Sequence, residues 1–197
     1  MKYLKCFKKQ VNIVLSLSIF VLGIIAIVLG FTNQLFGCES TAASWQNQLT
    51  ALNRFDIRTE GTTTFTLQGI IEFSSRLLAN SSDEYLNNAV KITPEYINAA
   101  SALKVLTIIL IAFYGIFVIG SLFNFKQYTN LTSCLVSLVL TLVIKKIGFD
   151  VFYSTDMNAV MMNVVNNTYT ALVVLWSIAL FLSSAQYAFN LYVKYSK

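Results

Sequence analysis

Small and weakly polar side chains recur at helical spacing in two apolar stretches of this chain, and they are its strongest candidates for a functional role. Each stripe has three such residues seven positions apart, with an alanine on nearly the same side of the helix. Small residues let membrane helices approach closely, and hydroxyl groups hydrogen-bond across the contact. The two predicted helix-packing interfaces, formed within one chain or between chains, are Ser16, Gly23, Ala26 and Gly30, and Thr170, Ser177, Ser184 and Ala188.

Longer polar side chains, Gln186 and Asn190, lie near the end of the apolar stretch that contains Thr170, Ser177 and Ser184. Amides at such positions either hydrogen-bond between helices or line a water-filled path in an oligomer. Interhelical bonding is the commoner arrangement, and we expect it here.

Residue types that carry catalysis are scarce. The chain has no histidine, which is the usual acid–base catalyst near neutral pH and the commonest ligand of zinc and haem. No Asp, Glu or Arg lies in the middle of an apolar stretch, whereas proton relays, ion pathways and voltage sensors need ionisable groups at that depth. The sequence therefore argues against an enzyme, a pump or a coupled transporter, and it predicts no catalytic residue, no cofactor and no metal site.

Charge is sparse over the whole chain. Charged residues make up 12% of the 197 residues and hydrophobic residues 56%, whereas soluble proteins usually have about 25% charged residues. So few charges would not cover the surface of a soluble domain. The composition predicts an integral membrane protein with the lipid bilayer as its first partner, and it indicates neither a nucleic acid nor a small-molecule substrate.

Gaps between successive charges locate four apolar windows of the length that a membrane helix needs, about 20 residues. We predict transmembrane helices at residues 10–31, 94–125, 131–149 and 169–193. The first window is longer than the roughly 7–15-residue apolar region of a signal peptide, so we expect a retained anchor. The predicted fold class is all-α, a four-helix transmembrane bundle.

The distribution of lysine predicts the orientation of these spans, because positive charge collects on the cytoplasmic side. Three basic segments share one side if there are four spans, namely residues 1–9, Lys126 and residues 194–197. The opposite side then holds residues 32–93 and residues 150–168. Only Lys145 and Lys146, at the end of the third span, oppose this assignment. We predict cytoplasmic termini and location in the cell membrane.

The outer segment of residues 32–93 is too long for a structureless connection in a compact protein. Its apolar residues recur at helical spacing, and Thr93-Pro94-Glu95 is a strong signal for the start of a helix. We predict a helical cap, whose apolar stripes either pack on one another or offer a surface to a partner. The residues of this possible interaction surface are Trp45, Leu49, Leu52, Leu67, Ile70, Ile71, Leu77 and Leu78.

The layout of four passes, inward termini and a long first outer loop resembles that of claudin-like proteins and of the connexin and innexin channels. Those families carry paired cysteines in their outer loops. Here the first outer loop has only Cys38 and the second has none. The resemblance is therefore one of topology, and the sequence identifies no family.

The sequence leads to one preferred function and two alternatives. The preferred function is a non-catalytic, multi-pass subunit that has a structural or assembly role in a larger membrane protein complex, with other subunits or further copies of itself as partners. The first alternative is a homo-oligomeric pore formed by this four-pass chain. The second is a regulatory or immunity-type membrane protein that binds its partner through the cap.

Overall fold

The computed structural model describes most of the chain as helices and one short pair of strands. The described residues are 2–33, 35–38, 54, 63–90, 92–122, 127–153 and 166–195. In chain order the elements are α1 (Lys2–Thr32), β1 (Phe36–Cys38), β2 (Thr63–Phe65), α2 (Leu67–Ala79), α3 (Glu84–Val90), α4 (Pro94–Leu122), α5 (Gln127–Tyr153) and α6 (Asn166–Tyr195). Three residues of the predicted cap, Trp45, Leu49 and Leu52, lie outside the described part of the chain.

Four of these helices, α1, α4, α5 and α6, are long and apolar enough to cross a membrane. They contain 27 to 31 residues each. At 1.5 Å per residue, 27 residues reach about 40 Å, which exceeds the hydrocarbon thickness of about 30 Å. The prediction of four apolar helices of membrane-spanning length is confirmed.

The helices continue beyond the apolar windows at both ends of the chain. Helix α1 begins at Lys2, within the predicted basic terminus of residues 1–9, and α6 ends at Tyr195. Lysine and tyrosine are compatible with helix, and their apolar stems can lie along the helix while the polar ends reach water. The helices therefore extend further than the apolar windows from which they were predicted.

The long helices form an antiparallel bundle in the cyclic order α1, α4, α5, α6. Gly23 of α1 lies against Phe117 of α4, and Cys134 of α5 hydrogen-bonds to Trp176 of α6. We call the end where α1 begins and α6 ends the terminal end, and the opposite end the α2 end.

Helix starts at the α2 end are fixed by local capping. The Thr93 hydroxyl accepts a hydrogen bond from the Tyr96 amide at 3.2 Å, so α4 begins at Pro94 as the sequence predicted. The Thr66 hydroxyl does the same for the Gly69 amide at 3.2 Å and starts α2.

Helix α2 packs along α4 and touches the end of α1. Its residues Leu67, Ile70 and Leu77 are buried in the same apolar core as Tyr114 and Phe117 of the bundle. Helix α2 and the bundle therefore share one continuous core.

The pairing of β1 with β2 departs from the helical expectation for residues 32–93. The two strands are antiparallel, with Phe36 opposite Phe65 and Cys38 opposite Thr63. β-branched and aromatic residues favour strands, and the run Thr62-Thr63-Thr64-Phe65 consists of them. Part of the segment predicted as a helical cap, in stretches that carry no helical stripe, is therefore a short sheet that joins the region after α1 to the start of α2.

Candidate functional site

The small-residue stripe of α1 faces the interior of the bundle. A Cβ atom added at Gly23 would lie 2.8 Å from the Phe117 ring of α4, and one at Gly30 would lie 2.6 Å from Leu67 of α2. Ala26, between the two glycines, is buried. These positions let α1 lie closely against α4 and α2, which is the contact that small residues allow between membrane helices.

The start of α1 is joined to the end of α6 by four polar side chains, which we call the amide cluster: Asn12, Ser16, Gln186 and Asn190. The amides of Asn12 and Asn190 each donate to the carbonyl oxygen of the other at 2.9 Å. Gln186 donates to the Ser16 hydroxyl at 2.9 Å. An interhelical hydrogen bond of this kind contributes about 0.6–2 kcal/mol in a membrane, so the cluster holds the two chain-terminal helices together.

The sequence pointed to some members of the amide cluster, but only the fold shows which of them pair. Gln186 and Asn190 are bonded to α1, as expected for interhelical hydrogen bonding. Their partner Asn12 was not identified from the sequence, because one asparagine at the edge of an apolar window has many possible neighbours. The pairing could have been inferred from the predicted topology, because it places the amide side chains of α1 and α6 at the same end of the bundle.

Aromatic rings fill the centre of the bundle between α4 and α6. The Trp176 indole N–H donates to the Tyr114 hydroxyl at 3.1 Å, and the two rings lie 4.8 Å apart between centroids. Phe117 contacts the same indole edge-to-face at 5.1 Å. On the side of α5, the Cys134 thiol donates to the Trp176 carbonyl oxygen at 3.3 Å. These contacts join α4 and α5 to a single residue of α6, Trp176.

The buried polar groups of the described residues are neutral. They are serine, threonine, asparagine and glutamine side chains. Within that same part of the chain, no three histidine, cysteine, aspartate or glutamate residues lie together as a metal ion would require.

The small-residue stripe of α6 lies on the outside of the bundle. Its members Thr170, Ser177, Ser184 and Ala188 are exposed. The Ser177 and Ser184 hydroxyls donate to the carbonyl oxygens of Val173 and Leu180 in their own helix, at 2.7 and 2.8 Å. The small-residue stripes of α1 and α6 have the same spacing, but the stripe of α1 faces inward and that of α6 faces outward. Helix α6 contacts its neighbours through a different face, around Trp176 and Gln186.

Three of the described residues of the predicted cap surface are covered by the chain itself. Leu67, Ile70 and Leu77 are at most 1% exposed because they pack into the core, so they do not form a free interaction surface. Ile71 and Leu78 are half-buried. Of the two alternatives for the apolar stripes, intramolecular packing therefore holds for Leu67, Ile70 and Leu77, which lie in the core shared with the bundle.

Comparison with known proteins finds no matching family model, no similar curated protein and no similar solved structure.

Proposed function

We propose that this chain is a non-catalytic, four-pass subunit of a larger membrane protein complex, in which it has a structural or assembly role. The proposal concerns the outer face of α6, on which a helix of another subunit would pack. The packed interior of the described residues supports a role in structure and contact, because its buried polar groups are serine, threonine, asparagine and glutamine side chains that offer hydrogen bonds.

The single observation that carries the proposal is the contrast between the outer faces of α6 and α1. On α1, the exposed side chains are large and apolar, as at Leu17, Val21 and Val28. On α6, Ser177 and Ser184 lie about one turn to either side of Phe181, which is 72% exposed, next to the exposed aliphatic residues Val174 and Ile178. Large aliphatic side chains suit contact with lipid, whereas small residues around a protruding ring suit the close approach of a second helix.

A homo-oligomeric pore is the second candidate, and one observation favours it. The exposed hydroxyls of Thr170, Ser177 and Ser184 form a polar row on α6, which in a ring of identical chains would face a common lumen. Gln186, by contrast, is buried and bonded to α1, so it does not contribute to such a lumen.

Photo-crosslinking from the outer face of α6 tests the subunit proposal. A photoreactive amino acid is placed at Phe181 in the full-length chain, in the membrane of its natural host, and at Val21 as the matched control on α1. We expect a crosslink of defined mass to one other membrane protein from position 181 and none from position 21. The mass of the undisturbed complex in mild detergent is measured alongside.

Three results would contradict the subunit proposal. Equal crosslinking from both positions would mean that the face of α6 is not selective. A monomeric mass without any crosslink would mean that no stable partner exists. A crosslink to further copies of the chain alone, together with ion flux in liposomes, would favour the pore.

We further propose that the four helices cross the cell membrane with both termini in the cytoplasm and with α2 and α3 outside. In intact cells, a membrane-impermeant maleimide is expected to label Cys38 in a variant that keeps only this cysteine. A variant that keeps only Cys6, near the N-terminus, should react only after the cells are opened. Labelling of Cys38 exclusively from the side of Cys6 would rule out the four-span topology.

A further inference from the structure

A cleft of about 280 Å³ opens between the terminal ends of α1 and α4. Its apolar walls are formed by Ile13, Leu17 and Phe20 of α1 and by Leu122 of α4. Ile13, Leu17 and Leu122 are each more than half exposed. The cleft is therefore a hydrocarbon-lined space that the described part of the chain leaves open toward its surroundings.

The position of this cleft follows from the two contacts of α1. Further along the helix, Gly23 brings α1 tightly against α4. At the terminal end, Asn12 and Ser16 join α1 to α6 instead. Since the start of α1 is bonded to α6, the space on its other side, toward α4, is left for another occupant.

The polar groups in the cleft walls are already engaged within the protein. Asn12 and Ser16 bond to α6, and the Ser121 hydroxyl donates to the Phe117 carbonyl oxygen at 2.7 Å. An occupant consequently meets apolar surface. Apolar cavities of about 150 Å³ already hold a molecule of the size of benzene, so this larger cleft suits a hydrocarbon segment.

Two lysines of α1 lie one helical turn before the first residues that line the cleft. Lys8 and Lys9 precede Asn12 and Ile13 by one helical turn, about 6 Å along the axis, on the same face of α1. Lys8 is half-buried and Lys9 is exposed, and residues 1–9 contain four lysines and no acidic residue. The apolar cleft therefore lies about one helical turn from a lysine-rich stretch of α1.

We propose that the cleft binds an anionic phospholipid of the surrounding membrane, with one acyl chain between α1 and α4 and the phosphate beside Lys8 and Lys9. Basic sites at the membrane surface between transmembrane helices attract anionic headgroups, and each lysine strengthens that attraction. A zwitterionic lipid would fill the cleft equally well but gain little from the lysines. This proposal rests on the proposed crossing of the membrane by the four helices, but not on the subunit proposal, because it concerns lipid bound by the single chain.

Native mass spectrometry of the full-length chain, released from detergent micelles, tests this lipid site. The probes are dioleoyl phosphatidylglycerol, which is anionic, and dioleoyl phosphatidylcholine, which is zwitterionic. We expect one tightly retained phosphatidylglycerol, with affinity falling about fivefold in each of the variants K8Q and K9Q. K146Q removes the same charge from an exposed lysine of α5 and should leave this retention unchanged.

A second pair of variants tests the acyl-chain contact. L17W fills the cleft and is expected to reduce retention of both lipids, whereas V28W adds the same ring to an exposed position outside the cleft and should not. Equal losses in K9Q and K146Q would overturn the proposal, since they would reflect overall charge. Unchanged lipid retention in L17W would also overturn it, as would a dimer that L17W dissociates, because the occupant would then be a second copy of the chain.

Discussion

Replacing Trp176 with alanine is expected to lower the free energy of unfolding by about 3 kcal/mol, at the lower end of the usual range for deleting a buried aromatic ring. The indole fills the centre of the bundle, where it contacts Tyr114 and Phe117. In a membrane the separated helices also lie in an apolar medium, so the hydrophobic part of the loss is small. The lost packing and the remaining cavity account for the expected effect. The measurement is an SDS titration of the protein in mild detergent micelles, followed by far-ultraviolet circular dichroism and resistance to proteolysis.

The variant Y114F separates the hydrogen bond from the packing of the rings. It keeps the phenyl ring but leaves the buried Trp176 N–H without the hydroxyl that accepts it. A buried donor left unpaired costs about 1–3 kcal/mol, so we expect a smaller loss than for W176A. If W176A lost no more stability than Y114F, filling of the bundle centre by the indole would be unimportant.

The number of long helices could be predicted because the sequence features that indicate a membrane-length helix are local. Charge-free windows and the Thr93-Pro94 start signal are properties of neighbouring residues, and they correspond to four apolar helices and to the first residue of α4. The strand pair could not be predicted in this way. Phe36 and Phe65 pair across 29 positions, and two three-residue strands are too short to display an alternating pattern.

The candidate faces show a second limit of sequence reasoning. Ser16 and Ser184 belong to stripes with the same seven-residue spacing, yet α1 turns its stripe inward and α6 turns its stripe outward. Spacing identifies which residues share a face of a helix, but the neighbours of that face depend on all four helices at once. For α6, the large side chain of Trp176 occupies the interior, and the small residues lie on the other side.

The variant G23L is expected to lose about 3 kcal/mol of unfolding free energy, the upper part of the usual range for overpacking. Already the first added carbon would lie 2.8 Å from the Phe117 ring, and the ring is fully buried against Trp176. It therefore cannot move aside without disturbing the bundle centre. At Gly30 the opposing atom is the end of the Leu67 side chain, 2.6 Å away and equally buried, so we expect G30A to be destabilising as well.

Gly115 provides the matched control for this prediction. It lies in α4, and a Cβ atom added there meets no other atom within 4 Å. The variant G115L therefore makes the same chemical change in open space, and because leucine favours helix over glycine its stability should equal or slightly exceed that of the original chain. The two variants are compared in the same SDS titration, followed by tryptophan fluorescence. Equal losses in G23L and G115L would contradict the close contact of α1 with α4, whereas a loss confined to G23L ties stability to the face of α1 that packs within the bundle.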